Sequence, residues 1–360
     1  MQCVLYRYTQ EKTVIEKVRV KHFTVLDDEI IEFAQGLNVV IGENGVGKSH
    51  ILKLVYVLVS VLHQSKIASI LPNKQTLQKM IAEKLLNVFR PDTLGRLVRR
   101  GRGRQRCEIK IFFTNSRNNL SFDFSSASKT DVNITQMPSS FLEDAPIFFP
   151  TREVLSIFPG FADLYRNKHI EFDQTYYDLC LALEATPLRG PRFNDVKPLL
   201  EPLETLIGGT VKVDNGRFYL AIPSKGNMEI SLVAEGIRKI AMLAYLITNG
   251  ALKDKGTLFW DEPETNLNPK LIKEVAKALI ALAKSEIQIF IASHSLFLLR
   301  ELEILLSSDG EDNQVLQKYF VLSHNDDRVE LIQSDNINEL EPIVSLDEAL
   351  AQSDRYLDLD

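Results

Sequence analysis

Residues 37–49 read Leu-Asn-Val-Val-Ile-Gly-Glu-Asn-Gly-Val-Gly-Lys-Ser. The first five are a short apolar run of strand character. The remainder is G-x-x-x-x-G-K-S, followed by a helix-forming stretch from His50 to Val61. Gly42, Gly45 and Gly47 lack a Cβ, so the backbone can bend tightly and turn several N–H groups toward an anion. A helix starting there directs its positive end at the same point. Lys48 is long enough to reach the β- and γ-phosphates of a nucleotide, and the Ser49 hydroxyl suits Mg²⁺. The expected ATP-binding residues are therefore Gly42, Glu43, Asn44, Gly45, Val46, Gly47, Lys48, Ser49 and His50. An eight-residue match can arise by chance, but here a strand precedes it and a helix follows.

The chain has 360 residues, enough for one large domain or two ordinary ones. Apolar residues make up 45% and charged residues 25%, the profile of a soluble globular protein. A net charge of −6 argues against a wholly basic nucleic-acid coat while leaving room for a local basic patch. Cys3, Cys107 and Cys180 are far apart, which predicts a reducing compartment and no zinc site. No apolar run is long enough to span a membrane and the N-terminus lacks a signal-peptide layout, so a cytoplasmic protein without membrane contact is expected.

Upstream of the glycine-rich loop, Val14–Val20 and Ile30–Phe33 alternate like strands about a turn at Asp27-Asp28. Downstream, residues 63–145 change character and read as an α+β insertion. Polar helical sequence from Lys74 to Val88 leads to Arg90, Arg96, Arg99, Arg100, Arg102, Arg104 and Arg106, then to a strand pair (108–114 and 120–124) and a polar segment, 125–140, read as mobile. The arginines could meet a phosphate backbone or an acidic partner, or form a solvated basic loop. Few aromatic residues accompany them for base stacking. Residues 146–150 form a short buried strand, 151–206 are mainly helical, and Asp214-Asn215-Gly216 marks a tight hairpin between 210–213 and 217–222.

Three later segments add chemistry. Thr257–Trp260 is an apolar strand delivering Asp261 and Glu262 at its C-terminal end, where open α/β sheets bind ligands. Asp261 is suited to Mg²⁺, and Glu262 to orienting or deprotonating a water. The buried strand 287–292 ends at Ser293-His294-Ser295, placing His294 where a γ-phosphate could be sensed. Glu262, His294 and Lys48 are thus the candidate catalytic residues, and Ser49 with Asp261 the candidate magnesium ligands. Between the two strands, Glu264–Pro269 forms a turn into a helix over 269–284. Ser231–Gly236 precedes another buried helix that stops at Gly250, and its tip offers a second anion site.

Together these motifs resemble an ABC-type ATPase of the branch containing SMC, RecF and overcoming-lysogenization-defect (OLD) proteins. Gly42–Ser49 matches Walker A, Val233–Gly236 with Ile237 the signature, Leu258–Glu262 Walker B, Asn266-Leu267-Asn268 the D-loop, and His294 the switch histidine. Within that branch, 47–54 and 261–267 are most similar to compact bacterial ATPases of phage-defence and abortive-infection operons. More than two hundred residues separate Lys48 from Asp261, unlike ring-forming AAA+ enzymes, in which the acidic strand follows the loop closely.

The resemblance implies an α/β fold: an ABC-type P-loop NTPase domain with a mixed sheet and flanking helices. That domain would comprise 1–62 and 146–360 with a helical subregion at about 151–206, interrupted by the insertion 63–145. It also implies ATP and Mg²⁺ as cofactors, and a homodimer or higher assembly in which Ala234, Glu235 and Gly236 grip the partner's nucleotide. Ala234 stands where the family has serine. The lost hydrogen bond to a charged group costs about 1.5–3 kcal/mol, so slow turnover is expected. No secure Q-loop glutamine is present, and Thr151-Arg152-Glu153 occupies its place. The output most consistent with the resemblance is control of a separately encoded effector, a nuclease or toxin, in anti-phage defence. The alternative is a RecF/SMC-like ATPase acting on DNA through Arg90–Arg106; a transporter subunit ranks last.

Overall fold

The computed structural model describes residues 12–67, 73–101, 103–252, 256–308, 315–325, 328–341 and 343–357. Cys3 and Arg102 lie outside them. Its centre is a six-stranded sheet that includes the strand of the glycine-rich loop, β3 (Leu37–Gly42). The order across the sheet is β14 (Arg328–Ser334), β13 (Gln317–Asn325), β3, β12 (Gln288–Ser293), β11 (Thr257–Asp261) and β7 (Ile147–Phe149). All neighbours run parallel except the β13–β14 pair. The register pairs Ile41 with Ser293 and Ala292 with Asp261, so the glycine-rich loop, the two carboxylates and the histidine emerge along one edge.

The strands β3, β12, β11 and β7 are buried on both faces, as their apolar runs require. Alternate residues enter two cores. Val40, Phe259, Phe290 and Phe320 face one, while Val39, Ile41, Trp260 and Ile291 face the other. The first core is closed by α1 (Lys48–Ile67), α2 (Lys74–Phe89) and a five-stranded antiparallel sheet. That sheet has the order β2 (Leu26–Glu32), β1 (Ile15–Phe23), β4 (Arg106–Phe113), β5 (Leu120–Ser125) and β6 (Asn133–Gln136). The strand pair expected within 63–145 is therefore β4 and β5, which continue the sheet begun by β1 and β2. The segment 125–140 is not uniformly irregular, since β6 pairs with β5.

The second core receives α4 (Gln174–Leu183), α5 (Pro191–Ile207), α6 (Glu235–Thr248), α7 (Pro269–Lys284) and α8 (Leu296–Ser308), with α3 (Phe161–Arg166) at its margin. The helical subregion is tied back to α1 by polar contacts. Lys53 pairs with Asp173 at 2.9 Å, and Asp178 accepts from the Tyr56 hydroxyl at 2.6 Å and from Lys84 at 2.5 Å. The three-stranded sheet β10-β9-β8 contains the expected hairpin, β8 (Thr210–Asp214) and β9 (Arg217–Ile222), with positive φ at Asn215 and Gly216. A third strand, β10 (Gly226–Glu229), extends it. Past β14, α9 (Val344–Leu357) follows.

One predicted turn moves. The β1–β2 connection lies at Thr24-Val25, and Asp27 and Asp28 sit inside β2. Asp28 is paired across the strands with Arg19, and Asp27 lies 2.9 Å from Arg99 Nη1 and 3.3 Å from His22 Nε2. Cross-strand ion pairing makes acids compatible with a strand that local propensity disfavours.

Candidate functional site

The loop between β3 and α1 turns under the tip of the β1–β2 hairpin. Gly47 has φ +98, and a Cβ built there would lie 2.5 Å from Val25 Cγ2, so glycine is required both by conformation and by space. Lys48 folds back across the loop, its Nζ donating to the carbonyls of Gly42 at 2.9 Å and Glu43 at 2.8 Å. Burial lowers its pKa, and the carboxylates of Glu262, Asp261, Glu264 and Glu43 oppose that shift. The Ser49 hydroxyl donates to Asp261 Oδ1 at 3.0 Å, joining residues 212 positions apart. Burial raises the Asp261 pKa despite that hydrogen bond. The His50 imidazole packs edge-on against Phe89, and its backbone N–H donates to Gly47 O at 3.0 Å.

Glu262 follows β11 directly, in a left-handed conformation with φ +51, and its N–H donates to Ala292 O at 2.9 Å. This bend takes its side chain off the strand and toward the loop edge. Its Oε2 accepts from the Thr265 hydroxyl at 3.1 Å, and its Oε1 lies 3.5 Å from His294 Nδ1. His294 is half exposed and is placed by Glu264, whose buried Oε1 accepts from the Ser293 hydroxyl at 2.7 Å and the His294 N–H at 3.2 Å. Asn266 has φ +63, and Asn268 caps α7 by accepting from the Leu271 N–H at 3.0 Å.

The tip of α6 lies beside this turn. Ala234 is its N-cap and supplies no side-chain hydrogen bond, so the first N–H groups of the helix are uncapped by that residue. Gly236 is packed so closely that a Cβ would meet Asn266 O and Leu267 Cδ2, each at 2.8 Å. Arg238 donates from Nε to the buried Glu153 at 2.7 Å and from its guanidinium to Val233 O at 2.7 Å. Thr151, Arg152 and Glu153 thereby line an open cleft of about 600 Å³ that also takes in Glu235, Arg238, Glu262, Thr265 and Asn266.

The structure thus brings Lys48, Ser49, Asp261, Glu262 and His294 together at the C-terminal ends of β3, β11 and β12, with Asn266–Asn268 and Ala234–Gly236 adjacent. Sequence reasoning passed over Thr265, Lys239, and the roles of Glu264 and Arg238 in holding this arrangement. The available signal was a lysine and an arginine in an otherwise apolar helix, and a third acid just past the expected pair. The arginine cluster divides. Arg90 pairs with Glu171, Arg99 with Asp27 and Arg106 with Asp123, while Arg96, Arg100 and Arg104 are exposed.

Among known proteins, the family described as "AAA domain, putative AbiEii toxin, Type IV TA system" matches residues 89–300, more than half of the chain. The chain belongs to this family. A second family described as "AAA domain" matches residues 17–145. No curated protein matches it. A crystal structure of the SmcHead bound to the C-winged helix domain of ScpA is similar at TM-score 0.56 and 13% identity, over 91% of this chain and 99% of that one. The Smc head domain with an extended coiled coil, bound to the C-terminal domain of ScpA derived from Pyrococcus furiosus, gives TM-score 0.52 and 12% identity over 96% and 99%. At these identities the likeness is one of fold, and it is the α/β fold of SMC-type P-loop ATPase heads expected from the motif order. No described helix is long and apolar enough to cross a membrane.

Proposed function

We propose that this protein is an ATP-binding and ATP-hydrolysing switch that pairs head to tail around two nucleotides. The observation that carries the proposal is the 3.0 Å hydrogen bond from Ser49 to Asp261, which unites the end of the glycine-rich loop with the acidic strand. A hydroxyl and a carboxylate in contact at the mouth of a glycine loop fit a magnesium nucleotide. No group of three or more metal-ligating His, Cys, Asp or Glu occurs among the described residues. Mg²⁺ uses one or two protein ligands and completes its shell with phosphate oxygens and water, which the Ser49–Asp261 pair fits. Ser49 and Asp261 would hold the ion, which when bound supplies charge neutralisation at the phosphates. Residues 42–50 would cradle the phosphate chain, with Lys48 exchanging its two loop carbonyls for phosphate oxygens.

The remaining chemistry belongs to side chains of the chain itself. Glu262, held at one oxygen by Thr265 and facing His294 at the other, would accept a proton from a water at the C-terminal end of β11, a role that these two contacts support. His294 is placed to donate a hydrogen bond toward developing charge. Ala234–Gly236, an uncapped helix tip, is suited to the nucleotide of a second copy. Converting Glu262 to Gln keeps the geometry and removes the base. Turnover should fall by about 10²–10⁴-fold, and the ATP-loaded protein should accumulate as a dimer by light scattering. A monomer under those conditions, with no partner able to induce pairing, refutes the sandwich.

The output we favour is control of a separately encoded effector, a nuclease or toxin, in bacterial anti-phage defence. The family description names a toxin of a type IV toxin–antitoxin system, which supports association with a second gene product. Absence of any stoichiometric partner on purification, together with no change in phage sensitivity on deletion of the operon, would remove this reading. Action on DNA in the manner of a repair ATPase is favoured by a specific feature, the exposed Arg96, Arg100 and Arg104. DNA-stimulated turnover that falls steeply with salt would support it, and indifference to DNA would eliminate it.

A further inference from the structure

Helix α6 buries one lysine. Lys239 is 1% exposed, and its Nζ donates to Thr265 O at 2.9 Å and to Glu262 O at 3.4 Å. Both carbonyls belong to the turn between β11 and α7. That turn contains two non-glycine residues at positive φ, Glu262 and Asn266, a conformation that persists only where the surroundings over-determine it. A buried ammonium is expensive to desolvate, and burial lowers the Lys239 pKa, with Glu235 and Glu264 the leading opposing charges. An apolar side chain of similar length would fill the same volume without that penalty. The ammonium supplies what such a side chain lacks, donors for two carbonyls turned inward by the bend.

One turn earlier on α6, Gly236 presses on Asn266 O and Leu267. The helix tip therefore meets the turn twice: against its far end at Gly236, and beneath its near end at Lys239. Thr265, whose carbonyl Lys239 holds, uses its hydroxyl to hold the Glu262 carboxylate. The backbone and the side chain of Glu262 are both referred to one helix, whose first residues are Glu235 and Gly236.

We propose that Lys239 is a positioning residue that couples the tip of α6 to Glu262, so that a displacement of Ala234–Gly236 by the partner's nucleotide re-aims the base in its own subunit. This rests on the two-nucleotide reading above and extends it by naming the connection between the two sites.

The test uses the full chain with Lys239→Met, which keeps volume and removes the donors, and Lys239→Arg, which restores them. In Lys239→Met, ATP affinity and ATP-driven pairing in a Glu262→Gln background should stay within about twofold of the parent. The turnover number should fall by about tenfold or more, and Lys239→Arg should recover part of it. Amide exchange at 262–266 in the nucleotide-free protein should rise by a similar factor while that of α1 is unchanged. A role confined to packing would not separate turnover from affinity in this way. Should Lys239→Met reduce stability too far, Lys239→Gln, with one donor group left, should give intermediate exchange and turnover. Parent-like turnover and parent-like exchange in either folded variant overturn the proposal. If the parent itself hydrolyses no ATP, the functional reading fails separately, and exchange at 262–266 still decides the role of Lys239.

Discussion

Replacing Gly47 with alanine separates two physical reasons for a glycine. At φ +98 an L-residue is strained, and its Cβ would sit 2.5 Å from Val25 Cγ2 at the hairpin tip. Gly45 provides the control, because its φ is +88 and a Cβ there meets nothing within 4 Å. Gly45→Ala should therefore express backbone strain alone, about 1–3 kcal/mol. Gly47→Ala should add an overpacking cost of about 1–3 kcal/mol, since Val25 must be displaced from between the two β-strands and the loop. Trimming Val25 to alanine removes the clash but not the strain. A double-mutant cycle in urea should then show a favourable coupling of about 1–2 kcal/mol between Gly47→Ala and Val25→Ala, and none between Gly45→Ala and Val25→Ala. ATP affinity measured by calorimetry should follow the same order, with Gly47→Ala losing more than Gly45→Ala. Equal effects at the two glycines, or zero coupling to Val25, would refute the claim that the hairpin tip buttresses the loop.

Asp261→Asn should raise the melting temperature of the nucleotide-free protein while abolishing stabilisation by magnesium and ATP. Burial raises the Asp261 pKa, so between its unfolded and folded values the native state keeps a proton that the unfolded chain has lost. Its contribution thus makes stability fall as pH rises through that window. Lys48, whose pKa is lowered by burial, works in the opposite direction: stability rises with pH from its folded value up to its unfolded one. A pH series of melting temperatures should show the acid-side decline disappear in Asp261→Asn. Arg238→Ala should destabilise by about 3 kcal/mol, because it leaves the Glu153 carboxylate, 3% exposed, without its cation and with only the Ser156 N–H and hydroxyl as donors. Arg238→Ala with Glu153→Ala should cost clearly less than the two single changes together, as read by denaturant midpoints.

What was legible from residues alone was the part in which chemistry and local backbone coincide. The glycine-rich turn lies between strand β3 and helix α1 as its residues predicted, and α7 begins where Asn268-Pro269 offers a cap followed by a proline. The hairpin at Asn215-Gly216 was equally local. Local sequence failed where long-range contacts reversed a preference. Asp27 and Asp28 have turn chemistry, yet Arg99 and Arg19 pair with them in β2. The arginine cluster looked uniform along the chain, but three of its members meet carboxylates on other elements.

Residue order alone carried the glycine-rich loop, the paired carboxylates and the histidine, with the distances in sequence between them, since motif spacing is a property of the chain. Only the tertiary structure decided how they are held. Parallel pairing of β3, β12 and β11 sets Ser49 against Asp261, and a lysine buried under a strained turn aims Glu262. The Ser49–Asp261 contact joins residues 212 positions apart, and the acceptors of the buried ammonium lie on a different element, 23 and 26 positions along the chain. No short window of sequence contains these contacts.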